Sequence, residues 1–158
     1  MTTRRKILKA AAAAPAIAAA SASPILGATV GAQERRETIG GPGPGGLPFS
    51  AAIRYGGLLF VSGNVGNEPG TLDLVPGGTA GQTRQAMENI KATLELAGSS
   101  MADVLKATVF LADIDEYAAM NDVYRTYFPN DPPARSTLAA SGLAIGARVE
   151  IEVIAAAR

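Results

Sequence analysis

Two amphipathic segments of helical periodicity, separated by a short apolar run, constrain the fold of this chain more than any other feature. The first covers residues 79–97 and the second ends near residue 128. Their apolar stripes are Met87, Ile90 and Leu94 in the first segment, and Tyr117, Met120, Val123, Tyr124 and Tyr127 in the second. The run between them, VLKATVFL at 104–111, is rich in β-branched residues and predicts a buried strand. We interpret both stripes, tyrosines included, as packing surfaces.

Strand patterns lie on both sides of the helical segments. Residues 51–55 and 58–62 predict a hairpin, because Gly56 and Gly57 supply a two-residue turn of positive φ. A short extended piece is predicted at 72–75. Further strands are predicted at 137–140 and in the alternating segment RVEIEVIAA at 148–156. This element order predicts an α+β fold, a two-layer sandwich in which a mixed β-sheet carries two helices on one face.

The first 32 residues have the pattern of an export signal. A basic head, MTTRRKILK, precedes an uncharged Ala-rich stretch, and charge resumes only at Glu34. The paired arginines predict a twin-arginine-type signal over residues 1–32 and a periplasmic or secreted protein. Small-residue exits end at Ala22 and at Ala32, of which we favour the second. The alternative, a retained membrane anchor, is disfavoured because alanine adds little apolar transfer energy and two prolines interrupt the stretch.

Residues 33–47 are predicted to form a Gly/Pro-rich linker, and residues 48–158 a single domain. The segment GGPGPGGLP at 40–48 contains the spacing GxGxxG, but Pro42 and Pro44 remove the N–H groups that a dinucleotide loop requires. Beyond the signal and its four basic residues, the chain carries 14 acidic residues against ten basic ones. This balance disfavours nucleic acid as a partner, and any membrane contact is expected only through the export signal.

The chain has no His and no Cys, which excludes disulfides, a serine–histidine triad and a histidine-based zinc site. Arg135, in the stretch PPARS, is a candidate for binding a carboxylate, because its planar fork offers two parallel charge-assisted hydrogen bonds. Taken alone, Arg135 is more typical of a surface or interface salt bridge. Glu150 alternates with Arg148 and Glu152 on the last strand, which by itself predicts a solvated face.

Six motifs in order carry a resemblance to a known family: PFSAAI, LLFVSGNVG, QTRQAMENIKATLELAGSS, VLKATVFLADIDEYAAMNDVYRTYF, PPARS and VEIEVIA. From about residue 48 to 156, the chain resembles the RidA/YjgF family of reactive-intermediate imine and enamine deaminases. The resemblance implies a chorismate-mutase-like fold, a homotrimer with clefts between subunits, and no metal or organic cofactor. It also implies hydrolysis of small 2-imino or 2-enamino acids, such as 2-aminoacrylate, to 2-keto acids and ammonia.

The same resemblance implies roles for six residues. Arg135 corresponds to the arginine that binds the substrate carboxylate, and Glu150 to the glutamate that handles the catalytic water. The implied substrate-binding residues are Phe49, Gly63, Asn121 and Thr137.

Two departures from the family pattern concern the cleft. Phe49 lacks the hydroxyl of the more common tyrosine, and the segment ASGLAIGARVE at 140–150 lacks the usual Leu-Pro turn. The alternative function is therefore a non-catalytic trimer that binds small carboxylate metabolites, or a protective, chaperone-like protein outside the cytosol.

Overall fold

The computed structural model describes residues 35–158, so the signal predicted at 1–32 lies outside the described residues. The elements in chain order are β1 Glu37–Gly43, β2 Leu47–Tyr55, β3 Leu58–Val65, α1 Gly78–Leu96, β4 Val104–Leu111, α2 Tyr117–Tyr127, β5 Ala134–Ala139 and β6 Val149–Ala156. The strands form a sheet in the order β1-β2-β3-β6-β4-β5. It is mixed, because β4 and β5 are parallel while the other neighbouring pairs are antiparallel.

The core lies between the sheet and the two helices. On β6, Val149, Ile151 and Val153 are buried, and the residues between them face the other side. The helical stripes are buried against this surface, including Met87, Ile90, Leu94 and Met120. Helix α1 packs on β3, β6 and α2. The predicted fold class, a mixed sheet with two helices, is therefore confirmed, and the sheet has a helix face and an open face.

Local signals in the sequence fix several element ends. Gly56 and Gly57 have φ values of 60° and 75° in the β2–β3 turn, as the hairpin prediction requires. Gly98 follows α1 at φ 73°. The Asp113 side chain accepts a hydrogen bond of 2.9 Å from the backbone N–H of Asp115, where a turn of 3₁₀-helix leads into α2. Within residues 35–158, neither helix is long and apolar enough to span a bilayer.

The linker prediction for residues 33–47 is wrong over Glu37–Gly43, which form β1 and pair with β2. A strand at the edge of the sheet tolerates Pro42, because the missing N–H is not needed on the solvent side. Gly40 adopts φ 72° where the register between β1 and β2 shifts, so glycine permits the strand instead of preventing it. Ile39 is buried in the core and holds β1 in place.

Two further strand predictions differ from the structure. The extended piece predicted at 72–75 makes a single bridge, between Asn67 and Leu74, outside the sheet. The strand predicted at 137–140 begins earlier, at Ala134, and runs parallel to β4. This earlier start places Arg135 inside a strand, so that pairing with β4 fixes the position of its backbone.

Candidate functional site

Arg135 is held by three side chains of helix α2. Its Nη2 donates hydrogen bonds of 2.7 Å to the hydroxyl of Tyr117 and 2.9 Å to Oδ1 of Asn121. Its guanidinium carbon lies 4.5 Å from the ring centroid of Tyr124, within the range of a cation–π interaction. These four residues, Arg135, Tyr117, Asn121 and Tyr124, are named the arginine cluster below. The guanidinium is thus oriented before any ligand arrives.

Two hydroxyl groups near Arg135 are buried without a hydrogen-bond partner among the described residues. One belongs to Thr137, two residues along β5, and the other to Tyr124. Burial raises the pKa of Tyr124 to about 12, against the opposing effect of the Arg135 charge, so this hydroxyl stays protonated at neutral pH. A buried hydroxyl without a partner is costly in a folded protein, and a bound ligand is one way to satisfy it.

Glu150 lies in a different part of the molecule, on the open face of the sheet. Its carboxylate sits directly over Gly63 of β3, where an added Cβ would overlap it. Burial raises the pKa of Glu150, and the neighbouring Glu152 carboxylate raises it further. Glycine at position 63 therefore makes the space that a half-buried glutamate occupies, and a carboxylate with a raised pKa is suited to accept a proton.

Glu150 and Gly63 line a cleft of about 550 Å³. Phe49 of β2 also lines this cleft, with its side chain 44% exposed, and Asn89 and Thr93 of α1 contribute polar groups. We call this space the glutamate cleft. Its volume lies in the range typical of small-molecule sites.

The Arg135 and Glu150 side chains point to opposite faces of the sheet. Arg135 is aligned with Ala107 of β4, which is aligned with Val153 of β6, so all three point to the helix face. Glu150 is an odd number of residues from Val153 on the same strand and points to the open face. The structure therefore groups Arg135, Asn121 and Thr137, and separately Glu150, Gly63 and Phe49. One chain does not bring the two groups into a common pocket.

The open face carries apolar side chains around Glu150. Phe60 pairs with Ile53 on one side and with Ile154 on the other, and Phe110 pairs with Leu138. Phe60 and Leu138 are 42% and 45% exposed. These side chains form two apolar groups, separated by Thr108 and Glu152, and exposed apolar groups on one sheet face are typical of a protein–protein interface.

The tyrosines of the arginine cluster were interpreted from the sequence as packing residues. That interpretation is incomplete, because Tyr117 is 41% exposed and binds Arg135. Tyr117, Asn121 and Tyr124 are spaced by four and three residues, which places them on one side of a helix. In the sequence, this spacing was the signal that the three side chains lie together on one side of α2. Among residues 35–158, no three acidic side chains are grouped so that they could hold a metal ion.

Comparisons with known proteins identify the family of this chain. The 2-iminobutanoate/2-iminopropanoate deaminase of Capra hircus is 44% identical over 108 residues, which cover 68% of this chain and 79% of that protein. Its namesake from Mus musculus is 40% identical over 108 residues, which cover 68% of this chain and 80% of that protein. The crystal structure of the YjgF gene product of E. coli superposes with a TM-score of 0.70 at 33% identity, covering 77% of this chain and 99% of that one. The sequence model described as Endoribonuclease L-PSP matches residues 44–157. This chain therefore belongs to the RidA/YjgF family.

Proposed function

We propose that this protein hydrolyses small 2-imino or 2-enamino acids, such as 2-aminoacrylate, to 2-keto acids and ammonia. The observation that carries the proposal is the orientation of Arg135. Tyr117 and Asn121 hold one end of its guanidinium, while Nε and Nη1 make no hydrogen bond to any other described residue. An oriented guanidinium with free donors fits a small carboxylate. The relatives named 2-iminobutanoate/2-iminopropanoate deaminases support the same substrate class.

The proposed active site is shared between two protomers of a homotrimer. Arg135 of one protomer would bind the substrate carboxylate, and the glutamate cleft of its neighbour would receive the rest of the substrate. Two features support this arrangement: the two groups face opposite sides of one sheet, and the open face around Glu150 has exposed apolar residues. A cyclic trimer repeats one heterologous interface three times, which would give three equivalent sites.

The proposed chemistry needs only the protein and one water molecule. Arg135 anchors the carboxylate, so that the adjacent imine carbon faces Glu150. The Glu150 carboxylate accepts a proton from water while the water oxygen bonds to the imine carbon. The imine nitrogen takes up this proton from Glu150. The new hydroxyl group then gives its proton to the nitrogen as the C–N bond breaks, so that ammonia leaves and the carbon becomes a ketone. General acid–base catalysis of this type contributes about 10² to 10⁴ in rate, which suits an already electrophilic imine.

RNA cleavage is the activity that the description of the matching family model names. The residues that line the glutamate cleft include Glu150 and no lysine or arginine. Phosphate binding along an RNA chain requires clustered cations, whereas a small acid needs only the single Arg135 of the neighbouring protomer, so the proposed site fits a small acid better than it fits RNA.

The test is the release of ammonia and 2-keto acid from 2-iminopropanoate, generated in the assay by oxidation of alanine. We expect Arg135→Ala to lower the rate by at least about 100-fold, because two charge-assisted hydrogen bonds are lost. The matched control is Arg125→Ala, which removes an exposed arginine that pairs with Asp122 on the same helix and should leave the rate unchanged. Equal rates for wild type and Arg135→Ala would refute the proposal. Thermal stabilisation by 2-keto acids without turnover would instead favour a non-catalytic binding protein.

Export through the twin-arginine-type signal at residues 1–32 remains part of the proposal. Expression of the whole chain, followed by N-terminal sequencing of the protein recovered outside the cytosol, would test it. Replacing Arg4 and Arg5 by lysine should retain the protein in the cytosol if the paired arginines direct export.

A further inference from the structure

Ile145 has a backbone conformation that a β-branched residue rarely adopts. Its φ is +52°, in the left-handed region, within the turn Ala144–Gly146 that leads toward β6. The Cβ branches of isoleucine crowd the backbone in this conformation, which is why glycine, asparagine and aspartate are the residues usually found there. The next residue, Gly146, has φ +73° without strain. Strain of this kind is concentrated at ligand-binding sites, where a side chain must be held in a particular place.

The strained residue, Ile145, forms part of the wall of the glutamate cleft. Ile145 lines the cleft together with Glu150, and its side chain is 45% exposed. Three other large apolar side chains line the same cleft at similar exposure: Leu47 at 39%, Phe49 at 44% and Leu72 at 47%. These residues come from distant parts of the chain, and their exposed apolar side chains lie together in the walls of the cleft. Its apolar walls lie beside the carboxylate that the proposed reaction uses.

We propose that Ile145, Phe49 and Leu72 form an apolar subsite for the substrate side chain, so that the protein prefers 2-imino acids with branched aliphatic side chains. This inference rests on the proposed function, because Glu150 must lie next to the reacting carbon. 2-Iminopropanoate would place only a methyl group in a cleft of about 550 Å³, whereas volumes of this size commonly hold much larger ligands. A branched side chain of four carbons would cover more of the apolar wall.

Binding of stable 2-keto acids tests the subsite without requiring turnover. The probes are 4-methyl-2-oxopentanoate and pyruvate, titrated into the intact protein by calorimetry. We expect the wild type to bind the branched acid about 10- to 50-fold more tightly, because it buries three additional carbon atoms. The variants Ile145→Gly and Ile145→Asn should both remain folded, since both residues accept positive φ. Each should reduce the preference at least about threefold, mainly by weakening the branched acid.

The matched control is Asp131→Gly. Asp131 also has a positive φ, of 47°, but it does not line the cleft, so this variant removes a side chain at a positive-φ position without changing the subsite. Its preference should equal that of the wild type. The inference is overturned if the wild type binds both acids equally, as would occur if a partner protomer filled the cleft. It is also overturned if both Ile145 variants keep the full preference.

The proposed function and the subsite can fail separately. Turnover of 2-iminopropanoate with no preference between the keto acids would refute the subsite alone. A preference that depends on Ile145, in a protein that hydrolyses no imine, would refute the proposed function and retain the subsite.

Discussion

At the scale of single residues, the orientation of Arg135 depends on neighbours that need not contact the substrate themselves. The hydroxyl of Tyr117 and the amide of Asn121 both accept hydrogen bonds from Nη2, and the ring of Tyr124 lies against the guanidinium plane. A side chain as long as arginine loses considerable rotamer freedom when it is fixed. Here α2 fixes it during folding, so the loss does not recur when a ligand binds.

The first prediction concerns Tyr117. We expect Tyr117→Phe to raise KM for 2-imino acids by about 3- to 10-fold with a smaller change in kcat, because losing one hydrogen bond loosens the carboxylate anchor. Steady-state kinetics would measure both constants. The control is Tyr127→Phe, which removes a hydroxyl of the same helix that binds Glu88, away from Arg135. A KM change of equal size in both variants would indicate a general effect on α2 instead of a role in orienting Arg135.

The second prediction concerns the pKa of Glu150. Burial and then the charge of Glu152 raise this pKa, so a carboxylate that must accept a proton loses activity as the pH falls through the raised value. We expect Glu152→Gln to move the acidic limb of the profile of kcat/KM against pH to lower pH, because one of the two causes is removed. An unmoved limb would show that Glu150 does not control it.

The ionisation of Glu150 should make the stability of the protein depend on pH in the opposite sense to its activity. Because its pKa is raised on folding, its ionised form destabilises the folded state, and that cost is absent below the glutamate pKa of the unfolded chain. It appears as the pH rises through the folded-state value. We therefore expect Glu150→Gln to raise the Tm relative to wild type at neutral pH, and this difference to disappear at acidic pH.

At the scale of elements, the helices and strands that could be predicted are those whose apolar residues recur at a regular spacing. The stripes of α1 and α2 and the alternation of β6 follow from burial on one side, and all three elements form close to their predicted bounds. Strand β1 has no such pattern, because its glycines and its single proline, Pro42, serve an edge position with a shifted register. Its existence depends on pairing with β2, which composition does not reveal.

The third prediction concerns Gly66, which follows β3. A Cβ at this position would overlap the backbone of Gln82 in α1, so glycine permits the close approach of helix and strand. We expect Gly66→Ala to destabilise the protein by about 2–3 kcal/mol, because backbone atoms must shift. Urea unfolding monitored by circular dichroism would measure this loss.

The matched variant is Gly63→Ala, within β3. There the added Cβ would overlap only the Glu150 carboxylate, the end of a flexible side chain that can move away. We expect Gly63→Ala to cost less than about 1 kcal/mol in stability but to reduce turnover strongly, since Glu150 is displaced. If Gly63→Ala destabilised the protein more than Gly66→Ala, the backbone of α1 would move away from an added Cβ more easily than the Glu150 carboxylate does.

At the scale of the whole molecule, only the family resemblance predicted one site, in a cleft between subunits, for Arg135, Asn121 and Glu150. Periodicity and spacing act along one chain, so by themselves they place Glu150 on a strand face and give Arg135 no partner. They do not show which face of the sheet another protomer covers. Glu150 and Glu152 alternate with Ile151 and Val153, a pattern that a solvated face and a subunit interface share. Phe60 and Leu138 are distant in sequence, and only the folded sheet shows that both are exposed on the same open face.

The fourth prediction tests whether one site draws on two protomers. Arg135→Ala and Glu150→Ala should each be inactive alone. The two variants are unfolded together and refolded as mixed trimers. If each site takes Arg135 from one protomer and Glu150 from its neighbour, some sites in these trimers are intact. In an intact site a Glu150→Ala protomer supplies the arginine and an Arg135→Ala protomer supplies the glutamate. Random mixing in equal amounts should restore about a quarter of the sites in a cyclic trimer. If both residues acted within one protomer, every site would lack one of them, and mixing would restore no activity. Refolding each variant separately and then combining them without exchange is the control, because it has the same composition but no mixed interface.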